Sequence, residues 1–221
     1  DKQAYLNNAK KYLLEAYAVR KFTQLREIPY EDVFDVEKKS TNPEIIFQIV
    51  YIQGDKDYYS SVAQAIQGKG ETINSQYKST GAGTFVNPDL VKEYEEGDLR
   101  KEWSVKYASN AVARNWFITK FRDTSTAAGT LGYGGNDWIV MRYADIILML
   151  AEVEMYLGNN TAAIGYLNQV RERARMPSYE EMQNNADYKK KYSTLKLAIL
   201  HERRVELAFE NHRWYDLLRF F

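Results

Sequence analysis

The 221 residues contain no cysteine and only two histidines, and those two shortages remove most metal and nucleophile chemistry at the outset. Without cysteine there is no disulfide, no thiolate zinc site and no thiol nucleophile, although its absence is neutral on cellular compartment. His201 and His212 do not fall in a His-x-x-x-His or His-Glu-x-x-His spacing, so two imidazoles are not set on one helix face and no metal site is expected. No Gly-x-Ser-x-Gly elbow is present to present a serine nucleophile. Gly68-Lys69-Gly70 lacks the third glycine and the strand-before, helix-after setting of a dinucleotide loop. Charge of one sign is also missing. With 30 basic and 30 acidic residues the formal net charge is zero, which gives no electrostatic drive toward nucleic acid or an anionic membrane surface. No uncharged run reaches the length of a membrane-spanning helix. The expectation is a chain with a real core, no cofactor, no metal and no catalysis.

What the sequence does have is a charged, helical final third and many aromatic side chains, 18 Tyr and 4 Trp. Three helices are expected over residues 138–221, reading WIVMRYADIILMLAEVEMYLG, NTAAIGYLNQVRERAR and LKLAILHERRVELAFENHRWYDLLRFF. The first is apolar almost all round and so belongs inside a helical layer. At roughly 100° per residue its Arg142, Asp145 and Glu152 fall within about 80° of one another, with Glu154 well away, so one polar seam runs down a buried helix. In the third, Glu202 and Glu206 fall in the same stripe as Leu195, Ala198, Ile199 and Phe209. Two carboxylates aimed at a core must be protonated, paired or near water. The second helix offers Arg171, Arg173 and Arg175 behind its Ala163, Tyr166, Leu167 and Val170 stripe, so the expected arrangement is an inter-helix network of ion pairs. A carboxylate pair for glycosidase chemistry would flank a cleft, whereas Glu202 and Glu206 face other helices.

These same residues carry a resemblance. Trp138 with Arg142-Tyr143-Ala144-Asp145, Ala151-Glu152, the run Leu167 to Ala174, the run Glu202 to Glu210, and Arg213 to Arg219 are similar, in this order, to the C-terminal signature of the SusD/RagB family. Asn87-Pro88-Asp89-Leu90-Val91 with Tyr94, Asp98 and Arg100 resembles the segment upstream of it, so the likeness covers about residues 43–221. The resemblance implies a mainly α fold of tetratricopeptide-like helix pairs with a small β or extended insertion. It further implies a non-enzymatic, surface-exposed outer-membrane protein that binds an oligosaccharide or a peptide and works with a TonB-dependent transporter barrel of SusC type. Family members carry a lipid anchor on an N-terminal cysteine. Since Asp1 opens the chain within a helical pattern, the expectation is the C-terminal portion of a larger protein, joined to the membrane only through an anchor outside this sequence.

The remainder divides accordingly. Residues 1–25 are expected to hold a helix that ends a set of N-terminal repeats, with Tyr5, Ala9, Tyr12, Leu13 and Ala16 at helical spacing. Residues 41–137 are expected to form a strand- and loop-rich insertion before the helical region 138–221. Within it, Ile45 to Ile52 reads as one buried strand or extended segment. Residues 54–86, with Gly68, Gly70, Gly81 and Gly83, read as a loop long enough to suggest function. Pro88 to Tyr94 reads as a short helix.

A sugar ring offers an apolar C–H face and a rim of hydroxyls, so its site needs a flat aromatic face beside polar side chains. Tyr5, Tyr12, Tyr143, Tyr156, Tyr166 and Trp214 lie on expected helices and read as packing residues. Asp57, Tyr58 and Tyr59, in loop-like sequence, are the first candidate ligand contacts, and Trp103 and Trp116 are the second. A different class of function, a helical protein-interaction scaffold without a small ligand, fits the same helices if the aromatics are core. A glycan-processing enzyme fits least.

Overall fold

The computed structural model describes residues 1–78, 84–108, 110 and 114–221; Gly81 and Gly83 lie outside the described residues. In chain order the elements are α1 (Lys2–Ala18), β1 (Ile45–Ile49), α2 (Val62–Ile66), α3 (Pro88–Val91), α4 (Leu99–Ser104), β2 (Val105–Tyr107), β3 (Trp116–Ile118), β4 (Trp138–Arg142), α5 (Tyr143–Tyr156), α6 (Asn160–Arg173), α7 (Tyr179–Met182), α8 (Ala186–Lys191), α9 (Leu195–Glu206) and α10 (Arg213–Phe220). Helices dominate, and the strands are few and short. The chain forms two compact units, one of residues 1–29, 96–98 and 141–221, the other of residues 30–95 and 99–140.

The first unit is built on α5, of which only Met149, Met155 and Tyr156 escape full burial. It packs against α1, α6 and α9, which is the place an all-round apolar helix must take. Ile147, Leu148, Leu167, Val170, Ala198 and Ile199 form the centre of the core. The Thr194 hydroxyl caps α9 by accepting the Leu197 N–H at 3.2 Å. On α1 the expected stripe is only partly right. Leu13, Leu14 and Tyr17 pack toward Tyr143, Ile146 and Leu150, while Tyr5 and Tyr12 are 75% and 64% exposed. Helical spacing placed the tyrosines on an apolar face, but the helix is rotated so that the leucines fill it.

Two helix boundaries also differ from expectation. Trp138–Arg142 is a strand, with Arg142 extended at φ −143° and ψ 161° ahead of α5. A short apolar run has no period that separates strand from helix, and this one is rich in residues that suit both. The expected third helix is two, because Phe209 and Asn211 hold left-handed φ values of 68° and 66°. The break has a visible cause. The Glu206 carbonyl, one of the orphan acceptors at the end of α9, takes a hydrogen bond from Arg142 Nη2 at 2.9 Å.

Among the described residues there are two two-stranded sheets, β1 with β4 and β2 with β3, and the second unit holds β1, β2, β3 and the first three residues of β4. The β2–β3 pair is antiparallel, with Val105 opposite Ile118, Lys106 opposite Phe117 and Tyr107 opposite Trp116. Its interior holds a chain of rings, Tyr30 to Phe34 at 5.3 Å, Phe34 to Phe121 at 5.8 Å, and Phe121 stacked on Trp138 at 5.7 Å. The run Ile45 to Ile52 is extended as expected but not buried, since Phe47 is 59%, Ile49 50% and Val50 66% exposed. Residues 54–78 are tied down by polar contacts. Buried Gln67 accepts the N–H groups of Asn74 and Ser75 and donates to the Ser75 and Tyr77 carbonyls. Asp123 accepts the N–H groups of Gly135 (2.7 Å) and Ser125 (3.0 Å) and the Gln53 side-chain amide. Gly54, at φ +77°, lies where a Cβ would stand 2.6 Å from the Ala127 carbonyl oxygen, so no other residue fits there.

Candidate functional site

The charged residues of the first unit meet in a buried lattice. Arg142 reaches Glu210 through Nε and Nη2 at 2.7 and 2.8 Å, and reaches Glu206 Oε1 through Nη1 at 2.6 Å. Arg173 Nη2 donates to the same Glu206 oxygen. Arg171 donates to Glu202 Oε2 at 3.0 Å and to the Pro177 carbonyl at 2.7 Å. A second string runs Asp145, Arg203, Asp216, Arg219, Glu152, with links of 2.8, 2.8, 3.0 and 2.7 Å. Glu152 hydrogen-bonds Arg219 and holds its guanidinium above the ordinary arginine range, against the opposing effect of burial. Glu154 lies apart from this lattice and pairs with Lys10 at 2.8 Å.

Seven of the eight residues expected in the network are thus in ion pairs, but the partners are not all as expected. Arg203, Glu210, Asp216 and Arg219 are members that the sequence reading missed, and their signal was simply that they flank Glu202 and Glu206 on a continuous stretch. Arg175 is not a member. It is exposed, at φ 59°, and makes no ion pair among the described residues. Its N–H bonds the Glu172 carbonyl at 3.0 Å and the Met176 N–H bonds that of Arg171 at 2.9 Å, which is the Schellman closure of α6 with Arg175 in the left-handed position. The helix has ended before Arg175 can reach its neighbours. The guanidinium groups of this lattice hold buried carboxylates that would otherwise be costly to dehydrate.

Three of the aromatic candidates, Trp103, Trp116 and Tyr59, line two grooves of the second unit. The first, of about 760 Å³, is lined by Trp103, Tyr107, Trp116 and Arg122, with Lys101, Lys106, Glu31 and Glu102 among its polar residues. The strand register puts Tyr107 and Trp116 side by side on one face of the hairpin, in edge contact at 5.7 Å. Trp103 comes from α4, and its indole N–H is used, donating to the Lys120 carbonyl at 3.2 Å. The Arg122 guanidinium lies 4.0 Å over the Trp103 ring. It donates to the carbonyls of Thr119 (2.7 Å), Glu102 (3.0 Å) and Trp103 (3.1 Å), closing the C-terminal end of α4. The half-buried Trp116 indole N–H has no partner among the described residues and is free to donate. Flat rings beside both donors and acceptors suit a ligand with apolar faces and hydroxyl rims.

The second groove, about 620 Å³, is lined by Tyr51, Tyr59, Ser60, Ser61, Val62, Asn136 and Trp138. Tyr59 is half-buried against Tyr133 at 4.6 Å. Asn136 is 3% exposed, donates to the Arg122 carbonyl at 2.9 Å and leaves its Oδ1 without a partner among the described residues. Asp57 and Tyr58 lie outside the lining of both grooves. Asp57 pairs with its neighbour Lys56 at 2.8 Å, and Tyr58 is 67% exposed. The turn that carries them is shaped by Asp55, whose Oδ1 accepts the N–H groups of Asp57 (2.7 Å) and Tyr58 (3.0 Å). Those two hydrogen bonds hold the Asp55 carboxyl below the usual carboxylate range. Of the helix aromatics expected to be core, Trp214 is 66% exposed, like Tyr5 and Tyr12.

Comparisons with known proteins agree on one family. The profile of the SusD family matches residues 105–221. A SusD-like protein, P2, of Formosa agariphila is 27% identical over 218 residues, which cover 87% of this chain and 42% of that protein. A structure described as a laminarin-binding SusD-like protein superposes with a TM-score of 0.73 at 25% identity, covering 98% of this chain and 51% of the other. A SusD superfamily protein from Bacteroides fragilis NCTC 9343 gives a TM-score of 0.72 at 25% identity, over 97% of this chain and 47% of the other. The chain spans less than half the length of the curated relatives it matches.

Proposed function

The chain belongs to the SusD family, and from that premise we propose that it takes part in non-catalytic capture of an oligosaccharide at the cell surface, for delivery to a partner TonB-dependent transporter of the outer membrane. No helix among the described residues is long and apolar enough to cross a membrane. Attachment through a lipid anchor elsewhere in the protein is part of the proposal. The observation that carries the reading is the first groove, where Tyr107 and Trp116 are paired by strand register, Trp103 is fixed by its N–H, and charged side chains stand around them. A sugar ring laid on an indole hides its C–H face from water, while its hydroxyls meet the Trp116 N–H and the carboxylates of Glu31 and Glu102. No bond need be made or broken for this. The laminarin-binding relative supports a glycan over a peptide.

Binding of the full-length protein to a glycan array, with chromatography of the bound sugar before and after incubation, tests the proposal. Binding with the sugar recovered intact is the expected result. Released product would mark a glycan-processing enzyme, and transporter binding without glycan binding would mark a protein-interaction scaffold.

A further inference from the structure

Arg122 differs in one respect from the arginines of the buried ion-pair lattice. Arg142, Arg171, Arg203 and Arg219 each meet a carboxylate, whereas among the described residues half-buried Arg122 meets three neutral carbonyls and an indole face. Its Nε and Nη2 are engaged, while Nη1 has no hydrogen-bond partner among the described residues. Burial pushes its pKa below the usual arginine range. The neighbouring charges lean the same way. Lys101, Lys106 and Arg122 line the groove against Glu31 and Glu102, three cations to two carboxylates, and neither lysine is in an ion pair among the described residues. A guanidinium that is partly dehydrated, fixed by its other nitrogens and left with one N–H edge is pre-organised for an oxyanion. A neutral sugar would use the rings but leave that positive charge unmatched.

We infer that the glycan of this groove is acidic, its carboxylate or sulfate held by Arg122 with Lys101 and Lys106 while a ring of the same chain lies on Trp116. The inference rests on the sugar-binding reading of the groove and adds the ligand's charge to it. Carboxylate and sulfate share the chemistry used here, a delocalised oxyanion that accepts charge-assisted hydrogen bonds.

Titration calorimetry on the full-length protein tests it with three probes: laminarihexaose as the neutral sugar, a hexagalacturonate for carboxylate, and a sulfated carrageenan hexasaccharide for sulfate. At low salt at least one acidic probe is expected to bind at least about tenfold more tightly than laminarihexaose. That advantage should shrink severalfold between about 25 and 250 mM salt, as screening weakens a groove open to water. Arg122→Gln should bring the acidic probe down to the neutral level. The Lys101→Gln/Lys106→Gln double variant should move it the same way. Trp116→Ala should weaken acidic and neutral sugars alike. Because Arg122 also closes α4, the lysine variant carries the test if Arg122→Gln fails to melt cooperatively. Which acidic probe binds identifies the oxyanion. Equal affinity for neutral and acidic probes, insensitive to salt and to all three cations, would overturn the inference and leave sugar binding standing. The same holds if neutral sugars bind and no acidic sugar on a wider array does. Absence of binding to every sugar would reject the sugar-binding reading and this inference with it.

Discussion

Replacing Glu206 by alanine isolates the buried ion pairs from everything else in the fold. The Glu206 side chain is 0% exposed, and its Oε1 is shared by Arg142 Nη1 at 2.6 Å and by Arg173 Nη2, both on side chains 1% exposed. The variant removes the anion between two dehydrated cations without changing either. Breaking a buried pair from one side costs about 3–5 kcal/mol, because water does not replace the partner that the buried charge loses. Arg142 keeps its two-pronged contact with Glu210, and both it and Arg173 lose the Glu206 oxygen they share. For a chain of this size that corresponds to a fall in Tm of roughly 6–20 °C, at 2–4 °C per kcal/mol. Glu172→Ala is the matched control, since Glu172 pairs with Arg26 where both side chains are about half exposed, 51% and 52%. Such a pair is worth about 0–1 kcal/mol. Urea unfolding of both variants, followed by circular dichroism, gives the two numbers from the shift in midpoint at constant slope. A loss within about 0.5 kcal/mol for Glu206→Ala would refute the reasoning, since only an exposed or already protonated carboxylate behaves that way.

Arg175→Gly should raise stability by about 1 kcal/mol, because glycine takes the left-handed position at the end of α6 without the Cβ penalty; a loss of stability in the same unfolding assay would show that Arg175 does belong to the ion-pair lattice. Asp55 should titrate below the usual aspartate range by carboxyl NMR. Its folded pKa lies below the unfolded one, so its contribution to the turn is present above the unfolded value and is lost as pH falls through the lower folded value; a midpoint at or above the ordinary value would contradict the turn geometry. Tyr59→Ala should weaken binding of a long glycan by about 1 kcal/mol, several-fold in affinity, if the second groove extends the first. Tyr58→Ala should leave both affinity and Tm unchanged, and equal losses in the two variants would move the contact to the exposed turn.

The helical layer was legible in the sequence because its signals are local. An apolar run with few charges gives α5, and charges that recur inside apolar stripes must find partners. What could not be read was which partners. Whether Asp145 meets Arg171 or Arg203 depends on how helices far apart in sequence are set side by side, and periodicity fixes a face but not a neighbour. The strand Trp138–Arg142 and the break at Phe209 were hidden for a related reason, as tertiary contacts such as Arg142 to the Glu206 carbonyl decide where an apolar run stops being helical. Trp103 and Trp116 stood out for their size in loop-like sequence, yet that they share a groove follows from the β2–β3 register and the α4 end. Tyr107, one of several aromatics in loop-like sequence, is tied to the groove only by the register that sets it opposite Trp116, and Arg122 carries no signal of its own until it is found over Trp103.

Calorimetry with the cognate glycan on Trp103→Ala and Trp116→Ala, beside thermal melts of the same proteins, tests the sugar-binding groove most directly. Trp116→Ala should lose about 1–3 kcal/mol of binding, ten- to a hundredfold, with little change in Tm. Trp103→Ala should lose binding and also some stability, since its N–H and ring support Lys120 and Arg122. Unchanged affinity in both variants would contradict the account and leave this groove as scaffold.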